Sequence, residues 1–154
     1  MERRVTEEQI TKAILNWLEY NGWDIICFDF PQSGTGVSLH LNEELRTTKN
    51  KGTFIPDIVA IKNKNIVFFE NKDRFVLTDF NKVYNLKTYK NYTNAISKLL
   101  EGLDFLNIFY GVGLLHSKIV EDNTKKKFDK IDFALFYGTD ETITVFFDPN
   151  NIFE

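Results

Sequence analysis

Two apolar segments that are separated by only two residues constrain the fold of this chain more than any other feature. The segments are PDIVAIK, residues 56–62, and NIVFFENK, residues 65–72. Asn63-Lys64 joins them, and so short a connection permits only an antiparallel hairpin between two strands. The rest of the fold must therefore be arranged around a hairpin near the middle of the chain.

A helix and a strand are predicted before this hairpin. Thr6 and Gln9 have the T-x-x-Q spacing of a capping box, and apolar residues at helical spacing follow them. Asn21-Gly22 is typical of a helix end, and the segment WDIICFDF that follows is predicted to be a strand. Residues 37–55 are harder to place: VSLHL is a candidate short strand, and the polar remainder is predicted to be a loop.

Further helices and strands are predicted after the hairpin. In order they are a helix from Thr78 or Asp79 to Gly102, a strand at 107–116, a helix in EDNTKKKFDKI, and a closing hairpin of DFALFYGTD and ETITVFFD that turns at Gly138–Asp140. This order predicts an α/β fold, with a mixed sheet flanked by helices. At 154 residues the chain has the length of one domain, with a core at about 6–116 and an extra C-terminal helix and β-hairpin at about 117–154.

Composition excludes several classes of protein. Hydrophobic residues make up 43% and charged residues 27%, as in an ordinary soluble globular domain. No apolar run approaches the roughly 20 residues of a membrane helix, so no membrane association is expected. Cys27 is the one cysteine, which excludes an intramolecular disulfide and favours a cytoplasmic location.

Charge is distributed unevenly along the chain. The net charge is −3, which argues against a protein that coats nucleic acid indiscriminately. Between Arg46 and Lys98, however, eleven Lys and Arg residues stand against four Asp and Glu residues. A basic middle between acidic flanks can steer a polyanion to one face, and it is equally typical of a solvated, lysine-rich surface.

Three charged side chains stand at the open end of the predicted hairpin. Asp57 begins the first strand, whereas Glu70 and Lys72 end the second, two positions apart and hence on the same face. Mg²⁺ prefers oxygen ligands, which Asp57 and Glu70 supply and to which the backbone carbonyl of Asn71 can add one. Such a metal activates water, and Lys72 can stabilise the charge that grows on a phosphate. The pattern therefore predicts a site that hydrolyses phosphodiester bonds.

Each of these motifs alone has a plainer interpretation. Pro-Asp often opens a strand or a turn, and Glu-x-Lys is common as an ion pair on a strand edge. Together they stand at the ends of one apolar hairpin that follows a capped helix. This conjunction favours a functional site over an ion-paired strand edge.

The segment G-x3-PDIVAIKNKNIVFFENKDR resembles the motif of the PD-(D/E)XK nuclease superfamily, which includes type II restriction enzymes and archaeal Holliday-junction resolvases. The resemblance implies a restriction-endonuclease-like αβββαβ core, metal ligation by Asp57 and Glu70, and a catalytic role for Lys72. Many members also have a glutamate on the first helix that holds the metal or its waters. Glu7 and Glu8 are candidates, and Glu7 is preferred because it lies on the apolar face of that helix. Either can instead simply be a favourable charge at a helix N-terminus.

A glycine-rich loop follows the first predicted strand. The segment Pro31–Gly36 resembles the Pro-x-Ser-Gly loop of the resolvase-like nucleases. Ser33 and Thr35 are therefore candidate contacts to a phosphate, which glycine allows to approach the backbone closely. A plain glycine-rich turn is the alternative.

The other candidate DNA contacts are basic side chains. They are Arg46, Lys49 and Lys51 just before the hairpin, and Lys87 and Lys90 on the second predicted helix. Lys87 belongs to a polar stripe with Asn91, Asn94 and Lys98, for which a solvated helix face is the alternative.

These patterns predict a Mg²⁺-dependent DNA endonuclease of the type II restriction class, with Mn²⁺ able to replace Mg²⁺. A homodimer is expected, because one small domain carries one active site and cutting both strands usually needs two. The long segment between Ser33 and Pro56 and the extra C-terminal elements depart from the resolvases. Two alternatives stay open: a structure-specific nuclease for branched or damaged DNA, and a nucleic-acid-binding module without catalysis.

Overall fold

The computed structural model describes residues 4–30, 39, 54–88 and 91–154, which form one six-stranded mixed sheet flanked by helices. The predicted α/β class is therefore confirmed. The helices are α1 (Glu7–Tyr20), α2 (Leu77–Thr88), α3 (Thr93–Leu99) and α4 (Lys118–Lys125), and the strands are β1 (Asp24–Phe28), β2 (Ile58–Lys62), β3 (Asn65–Lys72), β4 (Asn107–Leu115), β5 (Phe133–Tyr137) and β6 (Ile143–Phe147). None of the helices in these ranges has the length and apolar character needed to cross a membrane.

The strands lie in the sheet in the same order as in the chain, from β1 to β6. The first three strands are antiparallel neighbours, β3, β4 and β5 are parallel, and β6 returns antiparallel to β5. Parallel neighbours need crossovers, which α2 and α3 supply between β3 and β4, and α4 between β4 and β5. The ends of β3, β4 and β5 therefore meet at one edge of the sheet, here called the carboxyl edge.

The central hairpin has the predicted antiparallel pairing, with Ile58 opposite Phe69. Asn63 and Lys64 have φ angles of 51° and 67°, as a type I′ turn requires at both of its central positions. The twist of this turn matches the twist of the two strands. The turn thus sets a register in which the start of β2 lies beside the end of β3, at the carboxyl edge.

Helix α1 begins and ends where the sequence predicts. The Thr6 hydroxyl accepts a hydrogen bond from the Gln9 N–H at 3.2 Å, and the Gln9 side-chain oxygen accepts one from the Thr6 N–H at 2.8 Å. This is the predicted capping box. At the other end Asn21 caps the helix, and Gly22 has a φ of 88°, which glycine adopts without strain.

Two apolar layers cover the two faces of the sheet. On one face α1 contributes Ile10, Ile14 and Leu18, which are fully buried. On the other face α2, α3 and α4 pack over the sheet and are here called the α2 layer. Successive residues of β3 alternate between the layers, so Phe69 packs in the α1 layer and Phe68 in the α2 layer.

The prediction of one long second helix was wrong. The chain forms α2 and α3 instead, so the polar stripe predicted from Lys87 to Lys98 is not one continuous helix face. The segment around the break, TYKNYTN, is poor in strong helix formers, because it combines threonine, tyrosine and asparagine. Tyr89 and Lys90 within it lie outside the described residues.

Helix α4 begins earlier than predicted and is shorter. The Ser117 hydroxyl accepts a hydrogen bond from the Val120 N–H at 3.1 Å and so caps the helix before Lys118. Residues 128–130 form a separate 3-10 turn. The predicted closing hairpin is confirmed as β5 and β6, with the Gly138 N–H donating to the Thr142 carbonyl at 2.9 Å.

Only part of the segment 37–55 can be described. Leu39 and Phe54 form an isolated antiparallel bridge, and both side chains are buried in the α2 layer. Residues 37, 38 and 40–53 lie outside the described residues, as do the short strand and loop predicted there.

Candidate active site

Asp57 lies immediately before β2 and is held by hydrogen bonds to both neighbouring strands. Its N–H donates to the Phe69 carbonyl at 3.0 Å, and its own carbonyl accepts from the Asp29 N–H at 2.9 Å. Its carboxylate oxygen Oδ2 accepts from the backbone N–H of Asn71 at 2.7 Å. The Asp57 carboxylate is therefore fixed beside the end of β3.

Glu70 lies near the end of β3 and is only 9% exposed. Within the described part of the chain, its Oε2 has no hydrogen-bond partner. Burial, followed by the charges of Asp57 and Asp79, raises the pKa of Glu70 to about 9, although Lys82 and Lys72 lower it. A buried, unpaired carboxylate oxygen is costly, so this position favours a bound proton or cation.

Asp57 belongs to the same cluster and is half-buried. Burial raises the pKa of Asp57 to about 7, even though the hydrogen bond from Asn71 lowers it. The charges of Glu7 and Asp29 raise it further. Two neighbouring carboxyl groups of this kind offer the oxygen ligands that Mg²⁺ prefers.

Lys72 joins the ends of two helices to the end of β3. Its Nζ is 3.1 Å from Oε1 of Glu7, in the first turn of α1, and 3.9 Å from Oδ2 of Asp79, in the first turn of α2. Burial lowers the pKa of Lys72, but the hydrogen bond to Glu7 and the charge of Asp79 outweigh it, so the pKa is raised. Lys72 is therefore a charged ammonium group held from two sides.

Asp79 is a member of the cluster that the sequence analysis did not propose. It is only 4% exposed, and its Oδ1 is 3.8 Å from Nζ of Lys82. A signal was present in the sequence: Val83 and Leu86, four and seven positions on, are apolar, so Asp79 lies on the apolar face of α2. A carboxylate on an apolar helix face needs a charged or hydrogen-bonding partner. Glu7 was proposed as a site residue for the same reason, because it lies on the apolar face of α1.

The side chain of Asn71 points to the other face of the sheet, because Asn71 alternates with Glu70 and Lys72 along β3. Its side-chain nitrogen donates to the Thr11 hydroxyl of α1 at 3.1 Å. Gly113 on the neighbouring strand leaves room for this contact, because a Cβ there would overlap the Asn71 amide and Ile14. Only the backbone of Asn71 therefore remains on the side of Glu70, and metal ligation by its carbonyl stays a prediction.

The cluster suits an ion that takes few ligands from the protein. In the described ranges, no set of three or more His, Cys, Asp and Glu side chains could hold a metal ion. Mg²⁺ commonly keeps several waters and binds through one or two carboxylates. Asp57 and Glu70 fit this requirement, and the unpaired oxygen of Glu70 is a free ligand atom.

Two other predicted residues that the structure describes, Glu8 and Lys87, form ion pairs with residues outside this cluster. Glu8 pairs with Lys12 at 3.5 Å, and Lys87 pairs at 2.9 Å with Asp132, which immediately precedes β5. A contact between Lys87 and DNA stays a prediction. The other proposed DNA contacts lie outside the described residues and stay predictions too; they are Ser33, Thr35, Arg46, Lys49, Lys51 and Lys90.

Comparisons with known proteins identify no family for this chain. No protein-family model matches it, and no curated protein matches it significantly. Two solved structures each cover 88% of this chain with a TM-score of 0.40. An XisH family protein from Nostoc punctiforme PCC 73102 is 17% identical, with 96% of that chain covered. A fdxN element excision controlling factor protein from Anabaena variabilis is 18% identical, with 95% of that chain covered. Neither description names the PD-(D/E)XK superfamily, so that resemblance stays a prediction.

Proposed function

We propose that this chain is a metal-dependent nuclease that hydrolyses phosphodiester bonds in DNA. The observation that carries the proposal is the meeting of Asp57, Glu70 and Lys72 at the carboxyl edge of the sheet. A purely structural ion-pair network satisfies its buried charges. Here, within the described residues, one buried oxygen of Glu70 and one of Asp79 have no hydrogen-bond partner. This argues for a ligand that the protein alone does not supply.

Each side chain of the cluster has a role in this proposal. Asp57 and Glu70, with the carbonyl of Asn71, would hold Mg²⁺, which activates water and offsets charge on the phosphate when bound. Mn²⁺ would bind to the same oxygen ligands. Lys72 stabilises the negative charge that develops on the phosphate oxygens. Glu7, at 3.1 Å from its ammonium group, keeps Lys72 in position.

We place the activity on double-stranded DNA, as in type II restriction enzymes, and infer a homodimer. The support for the dimer is that one chain carries one such cluster in its described part, whereas a double-strand cut needs two sites. Lys and Arg outnumber Asp and Glu between Arg46 and Lys98, and the hairpin lies within this basic segment. This excess of positive charge supports a polyanionic substrate.

Incubation of the protein with plasmid DNA tests the proposal. We expect cleavage with Mg²⁺ or Mn²⁺ and none with EDTA. Asp57→Asn and Glu70→Gln should each lower the rate by at least about 100-fold, because each removes a charged metal ligand. Asp104→Asn is the matched control: Asp104 is exposed and pairs with Lys64 at 3.4 Å, at the opposite end of the hairpin.

The products and substrates distinguish the alternatives. Discrete fragments from linear duplexes support the restriction-like activity. Cutting confined to branched substrates would identify a structure-specific nuclease instead. Metal-independent DNA binding, without cutting of any substrate, would contradict the nuclease proposal and leave a binding module.

A further inference from the structure

Two arginine side chains, those of Arg4 and Arg74, contact Asp73, the residue that follows Lys72. Nη2 of Arg4 is 3.0 Å from Oδ2 of Asp73, and Nη1 of Arg74 is 2.7 Å from Oδ1 of the same carboxylate. Asp73 is the next residue after Lys72. Arg4 lies three residues before Glu7, and Glu7 is the residue that pairs with Lys72. Both guanidinium groups therefore lie beside the candidate active site.

One carboxylate holds both guanidinium groups. The side chain of Asp73 is only 10% exposed, whereas those of Arg4 and Arg74 are 78% and 61% exposed. The two guanidinium groups hydrogen bond to different oxygens of the Asp73 carboxylate, Oδ2 for Arg4 and Oδ1 for Arg74. A guanidinium has five N–H donors, and the bond to Asp73 uses one from each arginine. Two exposed cations on one half-buried anion leave a net positive charge, and each guanidinium has further N–H donors besides the one bonded to Asp73.

An ion pair that only links distant parts of the fold would not need both arginines. The pair between Arg4 and Asp73 joins residues that are 69 positions apart and can fasten the start of the chain to β3. Arg74 is the sequence neighbour of Asp73, so its pair joins no distant parts of the fold. Exposed ion pairs also contribute little to stability. The pair between Arg74 and Asp73 therefore contributes little to the stability of the fold.

The neighbouring cluster carries more carboxyl than ammonium groups. Its carboxyl groups are those of Asp57, Glu70, Asp79 and Glu7, and its ammonium groups are those of Lys72 and Lys82. A divalent ion would offset this excess at the phosphate that is cut. The adjacent phosphates of the same strand still need cations, because each carries a full charge. Arg4 and Arg74 are exposed cations next to the cluster.

We propose that Arg4 and Arg74 bind a backbone phosphate of the DNA strand next to the phosphate that is cut, an inference that rests on the proposed function. The planar fork of arginine matches two phosphate oxygens at once, unlike the point charge of lysine. Asp73 is the positioning residue, since it holds both guanidinium groups in one orientation. The site recognises phosphodiester oxygens and reads no base.

Fluorescence anisotropy of a short labelled DNA duplex tests this site without any cleavage. Ca²⁺ replaces Mg²⁺, since it also binds carboxylate oxygens, and the titration is repeated in EDTA. Arg4→Met and Arg74→Met should each weaken binding about tenfold. Each should also reduce the slope of log affinity against log salt concentration by about 1. Lys64→Met, which removes an ion-paired cation at the opposite edge, should change neither quantity.

Two further variants separate charge from orientation. Arg4→Lys and Arg74→Lys keep the charge, so the salt slope should return while the affinity recovers only in part. Asp73→Asn raises the net positive charge by one, so simple electrostatic attraction would tighten binding, whereas loss of orientation weakens it. Tighter binding by Asp73→Asn would overturn the positioning role.

Urea denaturation of every variant shows which of them are folded, and only folded variants are compared. Unchanged affinity and salt slope in folded Arg4→Met and Arg74→Met would overturn the inference. Plasmid cleavage that persists alongside such a result would refute this inference alone. Arginine-dependent binding by a protein that cuts no substrate would instead refute the nuclease proposal and keep the phosphate site.

Discussion

The two ends of the β2–β3 hairpin differ in how their charged groups are accommodated. At the turn, Lys64 and Asp104 form an ion pair with side chains 54% and 81% exposed, and the Lys64 carbonyl accepts from the Leu106 N–H at 2.7 Å. At the open end, Glu70 is buried and Asp57 is half-buried, and the pKa values of both are raised. Water solvates the charges at the first end, whereas protein encloses those at the second.

The turn and the middle of the hairpin therefore stabilise the fold, whereas the acids at its open end lower the free energy of unfolding. Buried carboxyl groups without full pairing oppose folding, and proteins retain such groups mainly where a function needs them. The regular turn and the apolar middle of the two strands offset that cost. Changes at the open end should therefore alter activity strongly, and some should increase stability.

Lys72→Met should produce the largest effect. We expect kcat to fall about 1000-fold, because the ammonium group beside the two acids is lost from the transition state. Lys64→Met removes the same group from the turn and should leave kcat within about twofold. Steady-state cleavage of plasmid DNA measures kcat for both variants. Similar losses in the two variants would show that the two ends do not differ in function.

Gly113→Val should destabilise the open end. A side chain there would overlap Ile14 and the amide of Asn71, and would displace α1 from the sheet. We expect the free energy of unfolding to fall by about 3 kcal/mol. Gly102→Ala is the comparison: its Cβ would meet no atom of the described residues within 4 Å, but a φ of 82° should cost about 1 kcal/mol. Urea denaturation measures both, and a Gly113→Val variant as stable as the wild type would contradict the packing described for β4.

Glu70→Gln should stabilise the metal-free protein at high pH. The raised pKa values of Asp57 and Glu70, about 7 and about 9, mean that the folded chain binds more protons than the unfolded chain between about pH 4.5 and pH 9. The free energy of unfolding therefore falls as the pH rises through that window. Glutamine cannot ionise, so the variant should exceed the wild type by about 2 kcal/mol at the alkaline end.

Urea denaturation in EDTA, at about pH 6 and about pH 9, measures this pH dependence. Asp104→Asn, an exposed acid at the turn, should show no such difference between the two pH values. An advantage of Glu70→Gln that is equal at both would argue against a buried acid with a raised pKa.

Lys64→Gly should produce the smallest effect, a gain in stability. Lys64 has a φ of 67°, which glycine adopts more readily, and Asn-Gly is the preferred pair in a type I′ turn. We expect about 0.5 kcal/mol after the loss of the exposed pair with Asp104. Thermal denaturation measures it, and cleavage should be unchanged because the turn lies opposite the site. A loss of stability would show that the ion pair outweighs the backbone strain.

Local signals in the sequence were sufficient for much of the fold and for the centre of the site. The Thr6–Gln9 spacing predicts the first helix, because a capping box involves only neighbouring residues. The two-residue turn at Asn63 predicts the hairpin, and the hairpin predicts that Asp57 meets the end of β3. Each of these predictions depends on contacts between residues close together in the chain.

The parts that were not predicted depend on distant contacts or weak local preferences. Arg4 meets Asp73 across 69 positions, and nothing near either residue indicates the other. Asp79 has a local signal, its place on the apolar face of α2, but its partner Lys72 is reached only when the helix packs on the sheet. The break before α3 lies in a segment where helix and turn preferences nearly balance.

The order of the strands has a consequence for how the site assembles during folding. Every strand neighbours those that precede and follow it in the chain, so the hairpin closes the shortest loop in the sheet. Asp57 and Asn71 are 14 positions apart, whereas Asn71 and Thr11 are 60 apart. Closing a short loop loses less chain entropy than closing a long one. The hairpin, which brings Asp57 and Glu70 together, can therefore form early in folding. Lys72 reaches its position between Glu7 and Asp79 only after α1 and α2 have packed on the sheet.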